Sequence, residues 1–257
     1  IIKYLLIIMT PIQETIINKK TKKPPIWLMR QAGRYLPEFR EIRKLNPDFI
    51  NLCLNENLSS KITLQPLQRF ELDAAIIFSD ILMLPYGLNQ KVEFKKNFGP
   101  QLGPLHLDEM SKIDEIDFIK KLYPVYKSIK KVSENNLVNN KNVIGFVGAP
   151  WTLLVYMINK HSPKKELIKE FFKDEFLINR VLVILEKFLK LHIDQQVKSG
   201  ATIIQIFDSW AGLLEEKDLP NYVYIPTLNL VDYVKSLNIP VICFPRGIKN
   251  YKNYCDI

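Results

Sequence analysis

Cysteine is scarce in this sequence: only Cys53, Cys243 and Cys255 occur, an odd number with no C-x-x-C spacing. That pattern implies neither a disulfide framework nor a zinc cage, and a reducing cytoplasm is its simplest home. Histidine is as sparse. His106, His161 and His192 are scattered without an H-E-x-x-H pairing, so each reads as a surface or helix residue and no metal site is expected. No apolar run is followed by G-x-G-x-x-G or G-x-x-x-x-G-K-[ST], which leaves out the usual phosphate-cradling loops. The apolar opening at 1–8 is far shorter than the roughly 20 residues a membrane span requires, and it lacks a small-residue cleavage site. Met9-Thr10-Pro11 looks like a natural start, with residues 1–8 extra to it. The formal charge is +9, yet the lysines at 19, 20, 22 and 23, at 95 and 96 and at 130 and 131 have no stacking aromatics between them. They read as solvated faces, and neither nucleic acid nor membrane is expected as a partner.

What is present is ordinary for a globular protein, neither disordered nor fibrous. The 257 residues, 47% hydrophobic and 25% charged, are enough for one large α/β domain covering 1–257. Short apolar runs at 25–28, 72–78, 142–147, 201–207 and 239–244 read as buried strands. Between them the spacing predicts helices over 11–18, 37–45, 57–70, 113–132, 176–199 and 219–237, with two more opening at Trp151 and at Ser162-Pro163. Pro66 and Pro124 are expected to bend or split their helices, and Gly200 to end the long one. The segment carrying Gly87, Gly99 and Gly103 reads as turns.

Strands alternating with helices mean parallel βαβ units, in a doubly wound sheet or a (β/α)8 barrel. The barrel is favoured because the chemically loaded residues all follow strands: Arg30 and Arg34 the first, Asp80 the second, Tyr156 the third, Asp208 and Ser209 the fourth. In a barrel those strand ends share one face. Five strands are legible, about three βα units fewer than a closed barrel needs, so the domain is expected to be incomplete on its C-terminal side.

Each of these residues has two readings. Arg30 and Arg34, with a glycine between them that lets the backbone approach closely, suit a ligand with several carboxylates or phosphates, or else belong to a solvated loop. Asp80 is either a site carboxylate at an apolar strand mouth or, with Ser79, the cap of a following helix. Asp208 and Ser209 likewise fit a site or a helix start, and Tyr156 a site or the core.

Taken together, four stretches resemble the uroporphyrinogen decarboxylase family: Trp27-Leu28-Met29-Arg30-Gln31-Ala32-Gly33-Arg34-Tyr35-Leu36-Pro37-Glu38; Thr63 to Pro66 running on to Asp73-Ala74-Ala75-Ile76-Ile77-Phe78-Ser79-Asp80; Gly148-Ala149-Pro150-Trp151-Thr152 with Tyr156; and Gln205-Ile206-Phe207-Asp208-Ser209-Trp210-Ala211-Gly212. The likeness runs from about Met9 to Gly247. It implies a cofactor-free (β/α)8 barrel, a cytoplasmic homodimer, that removes carbon dioxide from the four acetates of uroporphyrinogen III to give coproporphyrinogen III. By the same resemblance Arg30, Gln31, Ala32, Gly33 and Arg34 form a substrate-binding segment. Asp80 holds the pyrrole N–H groups, Tyr156 and Ser209 contact substrate, and Ile76, Phe78 and Phe207 line the cleft. A carboxylate beside a ring that becomes cationic on protonation then suits Asp80 to electrostatic stabilisation of the transition state. Arg30 stands as a candidate proton donor by position, with carboxylate pairing as its other reading. The family's C-terminal histidine has no counterpart among His106, His161 and His192. Two other readings are a truncated remnant that at most binds porphyrins and a barrel relative moving methyl groups through a corrinoid; the latter would need a zinc site of histidine and cysteine.

Overall fold

A computed structural model of the chain describes residues 9–19, 23–95, 97–163, 167 and 171–257. Thr10 caps the first helix, α1 (Pro11–Asn18), in a reciprocal pair with Gln13, and Pro11 takes the first turn, where its missing N–H leaves nothing unpaired. The expected strand at 25–28 makes no ladder. It exchanges two hydrogen bonds with Asp73: Ile26 N–H donates to the Asp73 carboxylate at 2.6 Å, and Asp73 N–H donates to the Ile26 carbonyl at 2.8 Å. Pro24 and Pro25 remove the donors that a longer pairing would use.

Helices α2 (Pro37–Leu45), α3 (Phe49–Cys53) and α4 (Glu56–Arg69) follow, the last two capped by Asp48 and Asn55. Strand β1 (Ala74–Ile76) is shorter than the apolar run predicts, because Phe78 turns away to bond α4: its N–H meets Thr63 Oγ1 at 2.9 Å and its carbonyl Ser59 Oγ at 2.6 Å. After α5 (Met83–Gly87), the segment read as turns forms an antiparallel hairpin, β2 (Val92–Lys95) with β3 (Gly99–Leu102). Val92-Glu93-Phe94-Lys95 alternates apolar and polar, but over four residues only, and its partner Gly99-Pro100-Gln101-Leu102 does not alternate, which hid the hairpin from the periodicity.

Helices α6 (Leu107–Met110) and α7 (Glu115–Ser133) lead to β4 (Asn142–Gly148), then α8 (Pro150–Asn159). Of the helix predicted to open at Ser162-Pro163, those two residues are not helical, and 164–166 and 168–170 lie outside the described residues. Helix α9 (Glu175–Lys198) ends at Gly200, φ +110°, as predicted. Strand β5 (Ile203–Asp208), helix α10 (Ile225–Ser236) after a π turn, strand β6 (Val241–Pro245) and α11 (Lys252–Cys255) complete the order. Neither Pro66 nor Pro124 splits its helix. Both α4 and α7 are continuous, because buried residues on either side of each proline keep the two halves on one core face.

The main sheet has four strands among the described residues, not the five expected, in the order β1-β4-β5-β6 and all parallel. Side chains alternate across it. On one face Ala74, Ile76, Ile144 and Ile203 meet Ile12 of α1, with Phe146, Phe207 and Ile242 beside them. On the other, Ala75, Val143, Val147, Ile204 and Ile206 join the large core beneath the helices. An inner apolar cluster, a parallel sheet and an outer helical layer are the layers of a (β/α)8 barrel, whose sites lie where the strands end.

Candidate active site

The C-terminal strand ends open onto a cavity of about 650 Å³, within the range of small-molecule sites. Its apolar wall is a run of inner-face aromatics: Phe146 and Phe207 meet edge to face with centroids 5.5 Å apart, and Phe207 and Phe244 at 6.5 Å. Phe94 and Pro100 of the hairpin, with Leu28 and Met29, add apolar lining elsewhere.

Asp80 stands in this lining. One carboxylate oxygen accepts from the Leu82 N–H at 2.8 Å, an Asx turn, while the cap position of α5 is Leu82. Asp80 therefore turns the chain and lines the cavity, and it does not cap the helix that follows. Burial among the surrounding protein pushes its carboxyl up to about 6, against the Leu82 N–H and the Arg30 charge, which pull it down. At neutral pH the carboxylate is largely ionised, a single anion in a largely apolar hollow.

Arg30, Tyr156, Ser209 and Phe207 line the same cavity, so the structure brings five of the sequence-predicted residues together. The Tyr156 ring meets Trp210 at 5.9 Å, and its hydroxyl is raised first by burial, with the Asp80 charge adding to the effect. The other six predicted residues lie outside the cavity wall. Gln31 is buried and braces the segment, accepting from the Leu28 N–H at 3.0 Å and donating to the Ala74 carbonyl at 3.0 Å. Ala32 packs with Leu36, Phe39, Leu52 and Ile62, and Ile76 lies in the inner cluster. Phe78 sits between Phe39 and Phe49, with centroids 5.8 and 5.7 Å away. Arg34 is exposed, its carbonyl held by Arg40 at 2.7 Å. A Cβ on Gly33 would meet only the Tyr35 ring, at 3.6 Å, so no close backbone approach explains that glycine here.

Sequence reading missed Arg246, which lines the cavity from the loop after β6. The signal was present: Arg246 follows a strand just as Arg30 and Asp80 do. None of the histidines reaches the cavity lining. His192 is buried with Nδ1 2.9 Å from the Tyr126 hydroxyl. Among the described residues no three of histidine, cysteine, aspartate and glutamate group as metal ligands would, and no helix is long and apolar enough to cross a membrane.

Fold and site together define a TIM-type α/β barrel whose strand ends carry an anion and two cations around an aromatic hollow. A solved methyltransferase from Methanosarcina mazei shares the fold, with a TM-score of 0.71 over 91% of this chain and 69% of its own, at 17% sequence identity. The family model for uroporphyrinogen decarboxylase (URO-D) matches residues 9–254. Uroporphyrinogen decarboxylases of Campylobacter jejuni, Rickettsia bellii and Agrobacterium fabrum are 42%, 41% and 39% identical to it. They align with 93%, 90% and 91% of this chain and 72%, 69% and 69% of their own. The chain belongs to the uroporphyrinogen decarboxylase family.

Proposed function

We propose that this protein removes the acetate carboxyl groups of uroporphyrinogen to give coproporphyrinogen, as a carboxy-lyase of porphyrin biosynthesis. The observation that carries the reading is the Asp80 carboxylate, half-enclosed in an aromatic-walled cavity with Arg30 on the same lining. A flat macrocycle bearing carboxylates at its edge and N–H donors at its centre needs cations at the rim and one anion at the hub. Protonation of a pyrrole carbon makes the ring a cation, which accepts the electron pair of the breaking C–C bond as carbon dioxide leaves. A fixed carboxylate near that ring favours the cation, and it acts most strongly where water is excluded. Arg30 is assigned to pairing with a substrate carboxylate, since a guanidinium is a poor proton donor.

Tyr156 and Ser209 are assigned to substrate contact, and Phe207 with Phe146 and Phe244 to the pyrrole faces. Gln31, Ala32, Gly33 and Arg34, Ile76 and Phe78 act behind the cavity wall in this reading, holding the Arg30 segment and the strand end in place. The family resemblance supports a homodimer, and the cysteine pattern a reducing cytoplasm. The test is incubation of the purified protein with uroporphyrinogen III under anaerobic conditions and chromatography of the oxidised products. Stepwise appearance of hepta-, hexa-, penta- and tetracarboxylic porphyrins is expected; unchanged octacarboxylate would overturn the reading.

A further inference from the structure

The sequence pairs Arg30 with Arg34, but in the structure the second cation of the cavity is Arg246. Its placement follows from the sheet. Strands β5 and β6 run in register, Phe207 beside Phe244 and Asp208 beside Pro245. One residue further, Arg246 stands level with Ser209, and the period of two that turns Ile242 and Phe244 inward turns Arg246 inward with them.

The backbone carrying it is held on both sides. Arg246 N–H donates to the Asp208 carbonyl at 2.9 Å, and the Arg246 carbonyl accepts from the Gly212 N–H at 3.0 Å. The chain then turns at Gly247, φ +84°, against Gly212. A Cβ on Gly212 would lie 2.5 Å from the carbonyl carbon and oxygen of Gly247, so this approach demands glycine. The guanidinium itself makes no hydrogen bond or ion pair among the described residues and is exposed. A cation on an anchored backbone, lining a cavity and without an internal partner, is available to an anionic ligand, with only its own side chain left to order.

We propose that Arg246 binds a carboxylate of the substrate on the rim far from Arg30, and so selects for a ligand acidic on both edges. The sheet order sets the separation: Arg30 leaves the segment beside β1, at one end, and Arg246 leaves β6, at the other. The inference rests on the decarboxylase reading above and assigns a second edge of the same site.

Two measurements test it: steady-state turnover of uroporphyrinogen, and fluorescence titration with uroporphyrin, the stable octacarboxylate. Arg246→Met raises KM and the dissociation constant about tenfold, a larger change than in kcat, and makes both less sensitive to salt. Arg246→Lys recovers part of the loss, since it keeps the charge but not the fork. Wild-type KM and affinity in Arg246→Met, alongside active wild-type protein, overturn the assignment of Arg246 and leave the decarboxylase reading standing. A wild-type chain that neither binds uroporphyrin nor decarboxylates uroporphyrinogen removes that reading and this inference with it.

Discussion

Thr152 Oγ1 donates a 2.6 Å hydrogen bond to one oxygen of the Asp208 carboxyl, while the other oxygen, also buried, has no hydrogen-bond partner among the described residues. Asp208 is the last residue of β5 and falls on the helix side of the sheet, fully enclosed, whereas its neighbour Ser209 faces the cavity. The same hydroxyl accepts from the Trp210 N–H at 3.1 Å, and the Trp210 carbonyl accepts from the Trp151 indole at 2.9 Å. One threonine thus ties the α8 entry to the loop that carries Ser209.

Burial pushes the Asp208 carboxyl up to about 7, with the Thr152 bond opposing the rise. A folded value above the unfolded one means that the protonated group favours the fold below about pH 4, and that this contribution disappears as pH climbs through about 7. Thr152→Val removes the donor to the charged form and should cost about 2–3 kcal/mol. The loss should be larger at pH 8 than at pH 6. Denaturant midpoints of both proteins at the two pH values check this, and equal midpoints throughout would contradict it.

His192 has the opposite linkage. Burial lowers it to about 3, so the ring is neutral in the fold and protonates first in the unfolded chain. Its contribution is complete above about pH 6.5 and is lost as pH falls toward 3, amounting to about 2 kcal/mol at pH 5. Wild-type protein should lose that much between pH 7.5 and 5, beyond what His192→Gln loses. Parallel acid limbs for the two proteins would show that His192 is not the source.

Asp80→Asn keeps the shape and the Asx turn but removes the charge. Turnover of uroporphyrinogen should fall by about 10²–10³, with uroporphyrin still bound. In the wild type kcat/KM should rise through a limb near pH 6 as Asp80 ionises. The variant should lack that limb, and the pH profile separates a charge effect from a folding defect. Equal turnover in the two proteins would refute the role.

Gly212→Ala places a methyl against the Gly247 carbonyl, where backbone must move. The expected cost is about 1–3 kcal/mol, or roughly 2–4 °C in Tm per kcal/mol for a chain of this size. Uroporphyrin affinity should also drop, since the Arg246 loop is displaced. Unchanged Tm and affinity would show that the loop has room that its backbone spacing does not suggest.

Much of the architecture was readable from the chain itself. Apolar runs bounded by turn residues marked four of the parallel strands, and capping residues with apolar periodicity marked the long helices, because burial of one face is a local pattern. Four motifs in order identified the family. Arg30, Asp80, Tyr156 and Ser209 could be named as neighbours in advance because a parallel sheet gathers its strand ends on one side; the same rule also named Arg34 and Asp208, which lie outside the cavity wall, and Phe207 came from the family resemblance. Tertiary structure alone decided the rest. Helix α4 drew Phe78 away from the cavity. The register of β6 on β5 carried Arg246 into the site, while the turn after Arg30 left Arg34 exposed, outside it. That a cation follows a strand is legible in the sequence; whether its side chain reaches the shared hollow depends on how segments far apart in the chain pack and pair, which spacing alone does not fix.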